Sequence, residues 1–220
     1  MRKRVLNAYR DWAPTYDNQV NPSIDLEEKL VVKLMGVKKG DGVLDAACGT
    51  GRYSKIFSLK GARVSSVDFS RSMLAVARKK VRGVEFKQAD IAKRIPFADK
   101  TFDKIICSLA IGHIQRIEPA LKEMKRVLKD KGFIVLTALH PDIDFWGFEL
   151  TGFNFQLSKY KCEMFHKVSV YEKSFAKVGL KVARKMELKI NDSIKHCFTE
   201  RSFKVVKGRP LALVLKLRKV

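Results

Sequence analysis

The sequence predicts an α/β protein built on a doubly wound, mostly parallel sheet with helices on both faces. Three observations predict it. Short apolar runs alternate with amphipathic stretches of roughly ten to fifteen residues, the pattern of strands joined by crossover helices. The run VLDAACGTGRYS, Val43 to Ser54, reads as a strand, a glycine turn and a helix start. Three aspartates, Asp45, Asp68 and Asp90, stand at the ends of successive predicted strands, 23 and 22 residues apart.

Taken in order, AYRDWAPTYDNQVNPS is a loop or short helix lying over the fold. From Ile24 a helix carries Leu26, Leu30, Val31 and Leu34 on one face, with Asp25 and Glu28 placed for capping and Gly36 near its end. The first strand stops at Asp45, the turn runs through Cys48-Gly49-Thr50-Gly51, and a helix spans Arg52 to Lys60. ARVSSVDFS is the second strand, followed by a helix with Ser70 as its N-cap candidate. VEFKQAD is the third strand, and the fourth runs from Lys104 to Leu109. Leu121, Met124, Val127 and Leu128 mark a helix ended by Lys131-Gly132. FIVLTALH is a fifth strand, apolar enough to be covered on both faces. After an irregular aromatic stretch, a helix covers Val170 to Val178, and LKVARKMELKI and PLALVLKLRKV are the last strands. With no helix predicted between them, they form an antiparallel hairpin at one edge.

A chain of 220 residues holds one large α/β domain. Its hydrophobic share of 46% supplies a packed core, and no apolar run approaches the length of a membrane helix. The N-terminus is positive but has no apolar core behind it, so it does not read as a secretory leader. Cys48, Cys107, Cys162 and Cys197 are scattered without CxxC or zinc spacing, so no metal is expected and the compartment is cytoplasmic. The net charge of +22 admits nucleic acid, peripheral contact with an anionic membrane surface, an acidic substrate, or a merely solubilising lysine-rich surface.

In a parallel sheet the strand C-termini open onto one crevice, so the three aspartates share it. Each has a task for a ligand with a ribose and a cationic amino acid end. Asp68 accepts from ribose hydroxyls, Asp90 accepts from an adenine amino group between Phe69 and Ile91, and Asp45 with the backbone at Gly49 and Gly51 holds the amino acid end. A dinucleotide fingerprint wants a third glycine or alanine where this chain has Ser54, which counts against a nicotinamide enzyme.

DAACGTGRYS, VDFSRSML, QADIAKRIPFADKTFDKIICSLAIGHI and LKDKGFIVLTALHP resemble the successive motifs of class I S-adenosylmethionine-dependent methyltransferases. The branch they resemble includes the ubiquinone- and menaquinone-biosynthesis enzymes. The resemblance implies a Rossmann-like, seven-stranded sheet with an antiparallel last strand, over a single domain, 1–220. Within it, 1–40 would be the N-terminal cover and first helix, 41–140 the cofactor core, 141–166 a substrate-cover insert, and 167–220 the last helix and hairpin. It implies S-adenosyl-L-methionine as cofactor, S-adenosyl-L-homocysteine as product, and a small apolar, aromatic or acidic acceptor. YRDWAPTYD is similar to the segment covering the cofactor in that branch, which puts Tyr9 and Tyr16 near the methionine end. The resemblance also adds Ala46, Cys48, Met73, Ser108 and Leu109 to the cofactor set. His113 is the first candidate base and His140 the second, with packing or capping the competing reading for His113. Phe145, Trp146 and Phe148 are the substrate candidates, in a stretch that also holds Phe153 and Phe155.

Two rival functions fit less well. A tRNA or rRNA methyltransferase suits the charge, but CSLAIGHI lacks the Asn/Asp-Pro-Pro-aromatic motif of base-amine enzymes, and Cys107 lacks the proline of the cytosine-5 type. A non-catalytic binding protein of this fold has no need of the intact acids and glycines. A monomer or homodimer is expected.

Overall fold

The computed structural model of the chain describes residues 2–141 and 166–220. The elements are α1 (Arg2–Trp12), α2 (Pro22–Met35), β1 (Gly42–Ala46), α3 (Arg52–Leu59), β2 (Arg63–Asp68), α4 (Arg71–Lys80) and β3 (Glu85–Gln88). They continue with β4 (Phe102–Cys107), α5 (Glu118–Val127), β5 (Leu128–Leu139), α6 (Val168–Val178), β6 (Leu180–Lys189), α7 (Glu200–Val206) and β7 (Pro210–Lys219). The seven strands form one sheet in the order β3-β2-β1-β4-β5-β7-β6. β7 pairs antiparallel with both β5 and β6, and the other recorded pairings are parallel. The predicted fold class is the observed one.

Alternation along each strand sends neighbours to opposite faces. Ile105, Ile134 and Leu136 join Leu121, Met124, Tyr171 and Phe175 in the core beneath α5 and α6. Ile106 and Val135 join Val31, Met35, Tyr53 and Phe57 beneath α2 and α3. Both cores are shielded from solvent, so β5, covered on both faces, is apolar from Phe133 to Leu136.

The elements depart from the sequence reading in four places. The N-terminal segment, expected as a loop or short helix from Ala8 onward, forms an eleven-residue helix, α1, that begins earlier, at Arg2. α2 begins at Pro22 and is capped by the Asn21 side chain, which accepts from Ser23 N and Ile24 N, so Asp25 and Glu28 are not its caps. α5 ends at Val127 and β5 starts at once with Leu128, not after Lys131-Gly132. The extra residues are absorbed by a register shift between Phe102↔Leu128 and Lys104↔Phe133. There Gly132 lies so near Asp103 O that a Cβ would come within 2.7 Å of it. Finally, a 3-10 segment, Asp192–Cys197, and α7 intervene between β6 and β7. They carry Ile194, Phe203 and Val206 into a small satellite core with Ile190 and Leu211.

Candidate active site

The chain winds from β1 outward to β3, then returns to β4 beside β1, so the crevice opens at the C-terminal ends of these strands. A cavity of about 400 Å³ occupies it. Asp45, Asp68 and Asp90 all line it, with Cys48, Gly49, Phe69, Met73, Ile91, Ser108 and Leu109 from the predicted cofactor set. Tyr9, Tyr16 and His113 close it from above.

The two glycines of the turn do different work. Gly49 is left-handed (φ 53°), and a Cβ placed on it would meet nothing within 4 Å, so its backbone faces open space on the cavity side. Gly51 (φ 78°) does not line the cavity. A Cβ there would lie 3.2 Å from Ala77 and 3.4 Å from Phe86 and Val81, so this glycine lets α3 sit tight against α4 and β3. Ala46 is likewise fully buried in the core rather than exposed to the cavity. Ala47 (φ 63°) and Leu109 (φ 52°), both cavity residues, hold left-handed backbones that cost non-glycine residues of order 1 kcal/mol or more. Leu109 is pinned there by its N–H, shared between Thr137 O at 3.1 Å and Thr137 Oγ1 at 3.0 Å.

The acids are held by donors on the protein side. Ser54 Oγ donates to Asp45 Oδ2 at 2.6 Å and sits 2.9 Å from Ser66 Oγ, all buried. Burial pushes the Asp45 carboxyl up to about 6, against the pull of the Ser54 hydrogen bond and the Arg52 charge. Asp68 accepts from Gly49 N (Oδ2, 2.8 Å) and Ser70 N (Oδ1, 2.8 Å), so one carboxylate joins the glycine turn to the start of α4. Burial raises its carboxyl too, opposed by those backbone donors. Asp90 Oδ1 accepts from Ala92 N at 3.0 Å.

Sequence reasoning missed a second cluster on the cavity wall. Glu27, wholly buried on α2, accepts from Ser108 Oγ at 2.5 Å and Tyr53 Oη at 3.2 Å, with Arg52 Nη2 at 3.5 Å. Its other oxygen is buried without a hydrogen-bond partner among the described residues. Arg52 was visible in GTGRYS as the residue after the turn. Glu27 gave no signal, because a glutamate inside an amphipathic helix usually faces water.

The cover is an aromatic ladder. Tyr9 lies 5.8 Å from His113 and 6.0 Å from Trp12, which meets Tyr16 edge-on at 4.6 Å, all between ring centroids. Tyr9 Oη is 3.0 Å from His113 Nε2, and His113 Nδ1 is buried without a partner among the described residues. Burial drives the His113 imidazole down to about 4, so it is neutral at physiological pH. Asp17, next to Tyr16, accepts from Thr50 Oγ1 and Lys80 Nζ, both at 2.7 Å, and so fastens the cover to the glycine turn and to α4.

His140, the second candidate base, is buried at the end of β5 with Nε2 3.9 Å from Glu187 Oε1 and does not line the cavity. Phe145, Trp146 and Phe148 lie outside the described residues. Cys107 is fully buried, with its thiol pushed up to about 12 by burial and then by the charges of Asp45 and Asp68, which removes it as a nucleophile.

Residues 44–136 match the family model described as "Methyltransferase domain". The demethylmenaquinone methyltransferase of Paenarthrobacter aurescens is 35% identical over 148 residues, 64% of this chain and 58% of that enzyme. The chain thus spans less than two thirds of that relative's length. A solved S-adenosylmethionine-dependent methyltransferase from Mesorhizobium loti superposes with TM-score 0.72 at 20% identity, covering 88% of this chain and 98% of that one. The [4+2]-cyclase SpnF shares the fold at TM-score 0.67 and 17% identity, covering 89% and 80%. The fold and the matched segment define a class I S-adenosylmethionine-dependent methyltransferase domain. This chain carries that domain and is similar to members of its menaquinone/ubiquinone type, and S-adenosylmethionine is the cofactor of that class.

The residues present fit that cofactor. The cavity is of ligand size, its acids suit a cationic amino acid end and a ribose, and Gly49 leaves backbone open to it. No described helix is long and apolar enough to cross a membrane.

Proposed function

We propose that the protein transfers a methyl group from S-adenosylmethionine to a small quinol-type acceptor. The observation that carries this reading is the convergence of Asp45, Asp68 and Asp90 with the open side of Gly49 on one cavity. Bound there, the cofactor supplies a methyl group on a positively charged sulfur that is already an activated leaving group. Asp45 holds the ammonium, Asp68 the ribose hydroxyls and Asp90 the adenine amino group, with Phe69 and Ile91 flanking the ring. Tyr9 and Tyr16 cover the methionine end. His140 has no part in the reaction on this reading.

The chain's remaining task is alignment, which is worth roughly 7–11 kcal/mol in favourable cases. Val5, Ile114 and Pro119 give the cavity an apolar portion beside His113, where a flat hydrocarbon ring fits. A neutral His113 orients an acceptor hydroxyl. With its imidazole near 4 it is a weak base, so it positions that hydroxyl by hydrogen bonding, and the proton that the methylated acceptor sheds leaves to solvent. The curated relatives named as demethylmenaquinone methyltransferases supply the acceptor class.

Labelled methyl transfer to reduced demethylmenaquinone, run beside tRNA and a protein extract, tests the proposal. Label in the quinol fraction with the cofactor product formed is the expected outcome. Label in RNA or protein, with none in the quinol, would overturn it.

A further inference from the structure

Away from the cavity, α2 and the 3-10 segment between β6 and β7 meet at three side chains of unlike chemistry. His196 Nε2 stands 3.0 Å from Asp25 Oδ2, Cys197 Sγ 3.4 Å from the same oxygen, and Cys197 Sγ 3.5 Å from His196 Nε2. We propose that Asp25, His196 and Cys197 form a binding site for a single divalent, borderline-soft cation, zinc being the best fit. The expectation that the chain holds no metal rested on spacing along the sequence, and Asp25 and His196 are 171 residues apart.

The triangle has the dimensions of one face of a zinc tetrahedron. Zinc bonds of about 2.0–2.1 Å to nitrogen and oxygen and about 2.3 Å to sulfur set ligand-to-ligand edges of about 3.3 Å between nitrogen and oxygen. The same bonds set edges of about 3.6 Å to sulfur. The observed edges lie within a few tenths of an ångström of these. A carboxylate, an imidazole and a thiol select zinc over calcium or magnesium, which take all-oxygen sets.

The ligands are also held in place. Leu26, beside Asp25, and Cys197 itself pack against the buried cluster of Ile190, Ile194, Phe203 and Leu211. Asn191 caps the 3-10 segment by accepting from Ser193 N at 2.9 Å. Such packing sets ligand positions before an ion arrives. His196 and Asp25 are exposed, which gives the ion a path in and leaves its fourth position to water. Binding deprotonates Cys197, the proton leaves to solvent, and the ion then ties α2 to the β6–β7 connection.

The test uses the full-length chain without a histidine tag, stripped with a chelator and titrated with cobalt(II) and then zinc. One cobalt per chain should bind with a thiolate-to-cobalt charge-transfer band, which zinc abolishes. Cys197→Ser should lose the band, and His196→Gln, at an exposed side chain, should weaken binding at least tenfold with an unchanged circular dichroism spectrum. Zinc at ~100-fold above its dissociation constant should raise Tm by about 5–10 °C. A wild-type spectrum without sulfur ligation, a band that survives Cys197→Ser, or equal affinity in His196→Gln would overturn the site.

Discussion

Ser54 stands where a dinucleotide-binding turn carries glycine or alanine, and its hydroxyl reaches two buried oxygens, one of them on Asp45. The residue that told against a nicotinamide site is thus the one that holds the strand-end acid. Ser54→Ala removes a buried donor to a carboxylate and should destabilise the fold by about 1–3 kcal/mol in urea unfolding. It should also raise the Asp45 titration further, since the Ser54 bond lowers it. The sign of the pH effect follows. The folded carboxyl titrates at about 6 and the unfolded one near 3.8, so the protonated form favours folding. That contribution is whole below 3.8 and lost as pH rises through 6. Cofactor binding runs the other way, because only the ionised acid attracts an ammonium. Calorimetry should therefore show S-adenosylmethionine affinity falling as pH drops below about 6, by up to tenfold per unit. The midpoint should sit higher in Ser54→Ala.

At the scale of elements, α1 and the turn after it act as a cover fastened by one small clasp. Asp17 takes donors from Thr50 on the glycine turn and Lys80 at the end of α4. Lys80 and Asp17 are about a third exposed, so solvent screens the pair and its worth is modest, about 0.5–1 kcal/mol. Asp17→Asn should raise KM for the methyl donor roughly two- to fivefold with little change in kcat, and added salt should shrink the difference. The strand–turn–helix units were legible because each carries its own signal: an apolar run, a glycine, an acid at the strand end. α1 was not, because the aromatics there run on through Pro14 and Asp17 beyond the helix end at Trp12, and the segment as a whole shows no sustained period. α7 was missed because seven residues carry too few turns to show a period.

For the whole molecule, the reversal of strand order between β1 and β4 decides where a ligand goes, and the sequence shows it through three aspartates about 22 residues apart. Contacts between distant segments left no such mark. Glu27 joins Ser108 across 81 residues, and Asp25 meets His196 across 171. Only the folded chain brings them together. The surplus charge is also sorted by the fold. Lys104, Lys216 and Arg218 gather over the Phe133 ring on β4, β5 and β7, with Lys216 3.7 Å from its centroid. Desolvation, and then Arg218, Lys104 and Arg184, lower the Lys216 ammonium below its usual range. The cavity is lined just beyond the C-terminal end of β4, at Ser108 and Leu109, and by none of Lys104, Phe133, Lys216 and Arg218, so the cationic cluster is no part of the proposed methyl-donor site. That site is the central claim, and calorimetric titration of S-adenosylmethionine into the purified chain tests it most directly. The account predicts one site of roughly micromolar affinity, weakened at least tenfold by Asp68→Ala. Absence of binding by the wild-type chain at millimolar cofactor, or equal affinity in Asp68→Ala, would contradict it.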